Sequence, residues 1–225
     1  MPFGIRWIHA TVGDNQKNQM NSIEEKKDLI INFWDIEEES DREKLIEEIR
    51  KYSEVKTEAE LVPEIREHFN QIHLSGIGII YEALSKNPLK WSNFFREEYE
   101  RAFESAEKSE KAFSILDSLE EISFVDKTKL ESRDELIKLL ENNLSNNKES
   151  IRYKAIWYLG DWIGDDNKDK YSNVIHKIIS KLEDDNWKIR NCAKNVLEEM
   201  NKLPKDYKVS FLDKLKVKFN NTLPV

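Results

Sequence analysis

The sequence contains an internal repeat, and this feature restricts the possible fold more than any other. Residues 136–163 align without a gap on residues 174–201 at a constant offset of 38 positions. Apolar residues coincide at helical spacing in both copies, in the pairs Ile137/Ile175, Leu140/Ile178, Leu144/Leu182, Ala155/Ala193, Leu159/Leu197 and Trp162/Met200. Each copy therefore predicts two helices joined by a short turn. Because two helices cannot bury their apolar faces alone, we expect successive copies to stack.

The turn of each copy is similar to that of a HEAT repeat. Residues 182–197 read LEDDNWKIRNCAKNVL, with acids in the turn, an aromatic residue, and an aliphatic–Arg pair that opens the second helix. Residues 144–164 resemble the preceding copy, and the specific likeness covers residues 134–203. The resemblance implies a HEAT-like solenoid of antiparallel helix pairs wound as a right-handed α-α superhelix.

The resemblance also implies a structural role for charged residues of the turn. In HEAT repeats the turn acid and the helix arginine form a ladder of bonds between stacked repeats. Arg152, Arg190, Asp184 and Asp185 occupy these positions. Two asparagines replace the acids in the earlier copy, so we expect a weaker ladder there.

The rest of the chain has the same helical character. Apolar residues recur three and four apart without period-two alternation, and 36% of residues are charged with only 6 Gly and 5 Pro. We expect an all-α chain of about 10–11 helices. We expect residues 1–20 to form a poorly ordered N-terminal arm and residues 21–225 to form one solenoid domain. Within that domain we expect degenerate helix pairs over 21–133, two HEAT-like repeats over 134–203 and a C-terminal capping helix over 204–225. Residues 1–20 are either such an arm or an extension upstream of a start at Met20.

Helix starts are marked by Ser or Thr followed three residues later by Glu. This pattern predicts capping boxes, in which the hydroxyl accepts a first-turn amide hydrogen and the Glu reaches back to the cap amide. The pattern occurs at Ser22/Glu25, Ser40/Glu43, Thr57/Glu60 and Ser132/Glu135.

Composition excludes several classes of protein. The single cysteine, Cys192, rules out a disulfide framework and a thiolate metal site, and the four histidines show no metal-binding motif. Cys192 falls on the core side of its helix, which favours packing over a nucleophilic role. No apolar run approaches the ~18 residues that a membrane span needs, and no secretory signal is visible. We therefore expect a cytoplasmic monomer without cofactor or metal.

One helical stripe carries candidate binding residues. Tyr153, Trp157 and Asp161 recur four apart and point away from the predicted buried face of their helix. Asn195 and Glu198 lie on the matching helix of the next copy. In HEAT proteins the second helix of each pair lines the concave surface, and an outward Trp suits a protein-binding anchor. In the alternative interpretation, Trp157 is covered by a neighbouring helix or by the N-terminal arm.

These features favour a non-enzymatic module that binds a protein on its concave face. The net charge is −8, with −11 in residues 21–133 and +2 in residues 134–225. The eight acids of residues 35–48 are either a solvated face or a means of steering toward a basic partner. A narrower alternative is a bacterial immunity protein that neutralises a toxin. A less favoured one is a HEAT-like alkylpurine DNA glycosylase using Trp157 and Asp161, which the acidic first half opposes because DNA requires a basic track.

Overall fold

The computed structural model describes most of the chain, namely residues 20–70, 76–120, 122, 125–164 and 168–219. These residues form α-helices and short 3-10 turns, with no β-strand among them, so the all-α prediction is confirmed for this part of the chain. The helices are α1 (Lys27–Ile31), α2 (Glu39–Glu54), α3 (Glu58–His68), α4 (Ile77–Ser85), α5 (Ser92–Lys108), α6 (Ala112–Asp117), α7 (Arg133–Asn143), α8 (Glu149–Ile163), α9 (Ser172–Ser180), α10 (Trp187–Glu199) and α11 (Phe211–Phe219).

The predicted N-terminal arm lies outside the described residues, except for its last position. Met20 is 5% exposed and packs in the hydrophobic core. The Met20 side chain thus contributes to the buried surface of the helical part of the chain.

The helices of the second half pack as successive pairs. α5 contacts α6, α7 contacts α8, and α9 contacts α10. Between pairs, α5 contacts α7, α6 contacts α8, and α8 contacts α10. Helices α6, α8 and α10 are thus consecutive neighbours, with α8 in the middle. In the first half, α4 packs against both α1 and α2.

An aromatic cluster joins α5 and α8 in the core. The ring centroid of Tyr99 lies 5.5 Å from that of Tyr158 and 5.6 Å from that of Trp162, and both pairs are edge-to-face. Trp162 donates its indole N–H to the Tyr99 hydroxyl at 3.1 Å, and Tyr158 donates its hydroxyl to the Leu116 carbonyl at 2.6 Å. Each buried ring removes a large apolar area from water, worth about 1.5–3 kcal/mol, while its polar atom stays satisfied.

Two glycines allow neighbouring helices to approach closely. A Cβ on Gly160 of α8 would lie 2.7 Å from Val196 Cγ1 of α10. A Cβ on Gly76 would lie 2.8 Å from the carbonyl carbon of Ile30 in α1. Both distances are far below van der Waals contact, so glycine is required at both positions for the observed helix packing.

Most of the predicted capping boxes are wrong. Thr57 forms the complete box at the start of α3. Ser22 forms only one of the two bonds of a capping box, since its hydroxyl accepts the Glu25 backbone amide at 3.3 Å. Ser40 lies inside α2, which begins one residue earlier. Ser132 is the N-cap residue of α7, but its hydroxyl makes no capping bond and instead donates to the Ser92 carbonyl at 2.9 Å.

Basic side chains satisfy the carbonyls at several helix ends. Lys90 donates to two carbonyls at the end of α2, at 2.7 and 2.8 Å. Lys148 does the same at the end of α5, at 2.8 and 2.8 Å. Arg133 donates to the carbonyls of the last turn of α8, the nearest at 2.7 Å. Cations at helix C-termini interact favourably with the exposed carbonyls, so these bonds fix neighbouring helices together.

A candidate protein-binding face on α8 and α10

Arg152, at the start of α8, joins the two repeats. Its Nη1 donates to the backbone carbonyls of Asn146 and Asn147 at 2.9 and 3.1 Å. Its Nε and Nη2 donate to the two carboxylate oxygens of Asp184, both at 3.1 Å. A forked pair of this kind fixes orientation as well as distance. Asp185 is reached only at 3.4 Å, and its side chain is 93% exposed.

Arg190 repeats these bonds one copy later. Its Nη1 donates to the carbonyls of Asp184 and Asp185 at 2.6 and 2.9 Å. Its fork reaches Asp213 of α11 at 2.6 and 2.8 Å. Asp185 takes part in both steps of the ladder, since its carbonyl accepts from Arg190 at 2.9 Å and its largely exposed carboxylate accepts from Arg152 at 3.4 Å.

Sequence reasoning missed Asp213, although it is one of only two acids among the six lysines of residues 202–225. Its hydrogen bond with Arg190, helped by the attraction of the two charges, lowers the pKa of the Asp213 carboxyl. Burial by itself would raise the pKa of Asp184. The Asn186 backbone amide and the Arg152 guanidinium outweigh that effect and lower it.

A cleft of about 680 Å³ opens between α8 and α10, beside the ladder. The ladder and the contact between Gly160 and Val196 fix the two helices that form it. Four of the five predicted binding residues line the cleft, and they are Tyr153, Trp157, Asp161 and Asn195. Residues that the sequence analysis did not select also line it, including Glu120, Tyr158, Cys192 and Glu199.

Glu198, the fifth predicted binding residue, is absent from this lining. Its carboxylate pairs with Lys194 on the same helix at 2.5 Å. Glu198 therefore lies on the exposed side of α10, outside the lining of the cleft. Glu199, the next residue, lines the cleft in its place because one step along a helix turns a side chain by about 100°.

Trp157 is the exposed aromatic residue of the cleft. It is 49% exposed, so none of the described helices covers it, whereas residues 1–19 lie outside the described part of the chain. Its ring centroid lies 6.2 Å from that of Tyr153, with the two planes inclined by 34°. Tyr153 in turn packs edge-to-face on Phe113, with centroids 5.8 Å apart. The indole thus packs against Tyr153 while about half of the Trp157 surface stays exposed to solvent.

Two lysines come close to the rim of the cleft, and both are held by carboxylates. Lys154 is 4% exposed and pairs with Asp117 and with Glu120, the latter at 2.9 Å. Its Nζ lies 5.8 Å from the Trp157 ring centroid, within the range of a cation–π interaction. Lys127 pairs with Asp161.

Glu199 differs from the other carboxylates of the cleft. It is exposed and has no hydrogen-bond or ion-pair partner within the described part of the chain. The rim therefore carries one unpaired carboxylate in addition to those that share their charge with lysines.

Cys192 contributes packing to the floor of the cleft. Its side chain is 4% exposed, and burial raises the pKa of its thiol to about 12. A thiol with so high a pKa is almost wholly protonated at neutral pH and is a poor nucleophile. Among the described residues, no group of His, Cys, Asp and Glu has the arrangement of a metal site, and no helix is both long and apolar enough to cross a membrane.

The fold and the cleft define an all-α protein with an aromatic, acid-rimmed surface at the junction of two repeated helix pairs. No protein family, curated protein or solved structure matches the chain.

Proposed function

We propose that the chain is a HEAT-like α-solenoid that binds a protein partner on the face formed by α6, α8 and α10 and does not catalyse a reaction. Two observations support the solenoid. Helices α6, α8 and α10 are consecutive neighbours, as the second helices of stacked pairs would be. Arg152 and Arg190, which are 38 positions apart, make equivalent bonds to the turn that precedes each and to an acid that follows.

The exposed Trp157 at the cleft carries the binding proposal. Burying an indole that is 49% exposed removes a large apolar area from water. The residue lies on a helix held by the ladder, so little conformational entropy is lost when a partner covers it. The carboxylates of the rim and the net charge of −11 over residues 21–133 favour a basic partner.

Substitution of Trp157 tests this proposal against a matched control. Trp34 is 65% exposed on a different part of the molecule. The partner is identified by crosslinking the tagged chain in its native host and then purified. We expect Trp157→Ala to weaken its binding by about 30-fold or more, the effect of removing an interface hot spot. Trp34→Ala leaves binding unchanged, and both variants keep the wild-type unfolding midpoint.

The Trp34→Ala control also shows how a result that contradicts the proposal is to be interpreted. If Trp157→Ala binds the partner as tightly as wild type, the α8–α10 face is not the binding site. If both tryptophan variants weaken binding equally, the effect is not specific to this face. The narrower proposal, neutralisation of a toxin, is tested by expressing a toxin encoded beside this chain with and without it. Failure to protect the cells contradicts that version.

The geometry of the cleft also argues against the DNA glycosylase alternative. Asp161 is already paired with Lys127, and Glu120 and Glu199 line the same cleft. A DNA backbone would approach these carboxylates, which repel phosphate. We expect no excision of methylated bases from alkylated DNA and no DNA binding at low salt.

A further inference from the structure

We infer that the cleft between α8 and α10 receives an arginine side chain of the partner protein. This inference rests on the proposed function, because it names the chemical group that the same face recognises. An arginine presents a flat cation that stacks on an aromatic ring and donates forked hydrogen bonds to carboxylates. The cleft contains both kinds of group.

Trp157 and Tyr153 provide the aromatic wall. Trp157 is 49% exposed and lines the cleft, and the Tyr153 ring, with its centroid 6.2 Å away, extends the aromatic surface. A guanidinium over an indole is attracted by the negative face of the ring. Lys154 Nζ lies 5.8 Å from the Trp157 ring centroid, but its charge is balanced by Asp117 and Glu120.

The charge of the cleft supports a cationic occupant. Lys154 pairs with two carboxylates, those of Asp117 and Glu120, which leaves that group with one net negative charge. Lys127 balances Asp161, and Glu199 has no partner among the described residues. All the charged residues that line the cleft itself are acids. A phosphate or an acidic peptide would be repelled there, whereas a guanidinium finds the unpaired Glu199 carboxylate.

The cleft is large enough to admit a long side chain together with part of the chain that carries it. Ligand pockets in proteins measure about 300–1,000 Å³, and this cleft has about 680 Å³. Arginine fits better than lysine because its guanidinium is planar and less strongly hydrated than an ammonium. A lysine occupant would have to keep its hydration shell beside the indole or lose it at a cost.

The test uses two short peptides that differ only in charge. The probes are acetyl-Gly-Arg-Gly-amide and its citrulline analogue, which has nearly the same shape without the cation. The indole N–H signal of Trp157 in the intact protein, assigned by its loss in Trp157→Phe, reports binding in a titration followed by NMR. We expect a saturable shift with a dissociation constant at least about fivefold lower for the arginine peptide. The Trp34 indole signal stays in place.

A carboxylate variant completes the design. Glu199→Gln removes the unpaired charge. We expect it to weaken binding of the arginine peptide and to leave binding of the citrulline peptide unchanged. Added salt also weakens binding of the arginine peptide, because it screens the attraction between the two charges. Equal binding of the two peptides, or indifference to Glu199→Gln, would overturn the inference. A lysine peptide that binds as well as the arginine peptide would also overturn it.

These results are separable from the test of the proposed function. If Trp157→Ala abolishes partner binding but the arginine peptide gives no shift at Trp157, the face binds a partner by other chemistry and only this inference fails. If the peptide binds as expected but the partner is held normally by Trp157→Ala, the proposed function fails at this face, and the inference that the arginine belongs to the partner fails with it.

Discussion

Asp184 and Asp185 offer a direct test of the ladder, because adjacent acids in one turn have opposite environments. Their side chains are 6% and 93% exposed. Asp184 Oδ1 accepts the Asn186 backbone amide at 3.0 Å, and both of its carboxylate oxygens accept from Arg152. The earlier repeat has Asn146 at the equivalent place, where its Oδ1 accepts the next-but-one amide at the same 3.0 Å. Asp184→Asn therefore keeps the turn and removes only the charged partner of the arginine.

The size of the effect follows from this geometry. An amide has one acceptor oxygen, so the variant loses one of the two bonds of the fork and all of the charge attraction. Hydrogen bonds that involve charged groups are worth about 1.5–3 kcal/mol. The Arg152 side chain, 11% exposed, is left without a full counter-charge. We expect Asp184→Asn to lower the free energy of unfolding by about 2–3 kcal/mol, less than the 3–5 of a fully buried pair. Asp185→Asn should change it by less than about 0.5 kcal/mol.

Urea unfolding followed by far-UV circular dichroism measures both variants. An unchanged slope with a lower midpoint assigns the loss to the folded state. Adding Arg152→Met to Asp184→Asn should cost less than the sum of the two single losses, because the second change removes a bond that is already broken. Equal losses for Asp184→Asn and Asp185→Asn, or additivity in the double variant, would refute the reasoning.

Three further predictions concern packing, reactivity and pH. Gly160→Ala should lower the free energy of unfolding by about 1–3 kcal/mol in the same assay, since its Cβ meets the branched Val196, which cannot rotate out of the way. The Cys192 thiol, whose pKa burial raises to about 12, should resist a disulfide reagent at pH 8 in the native protein and react once urea unfolds the chain. The lowered pKa values of the Asp184 and Asp213 carboxyls contribute stability that is complete above about pH 4 and is lost as the pH falls through the folded values. The urea midpoint should therefore fall on acidification, and less so in Asp213→Asn.

The sequence predicts the second half of the molecule well because its repeat has a constant offset. Arg152 and Arg190 occur 38 positions apart, so one assignment fixes both helix starts and both turns. The outward position of Trp157 follows from the same register, since residues 155 and 159 have to face the core. The register of a repeated helix thus predicts burial and exposure together.

Contacts with residues outside the repeats could not be predicted in this way. Asp213 meets Arg190 from α11, where the offset no longer holds. Lys154 has a residue type that is usually exposed, but it is 4% exposed because carboxylates from the segment before α7 reach it. Lys90 donates to the Glu54 and Ser53 carbonyls at the end of α2, although these residues precede it by 36 and 37 positions along the chain. Such pairs depend on where helices lie in space, and no local pattern records them.

The two copies of the repeat separate the demands of packing from those of binding. Residues 155 and 193 are both alanine, and residues 159 and 197 are both leucine, because the core admits only certain volumes there. At the outward positions of the cleft, Trp157 corresponds to Asn195, a residue of different size and polarity. Packing therefore does not require a tryptophan at this position of the repeat. Asp161 and Glu199 also correspond and both line the cleft, so each of the two copies presents a carboxylate to the cleft that holds the exposed indole. This arrangement is the reason that loss of Trp157 should affect a bound cation and leave the fold intact.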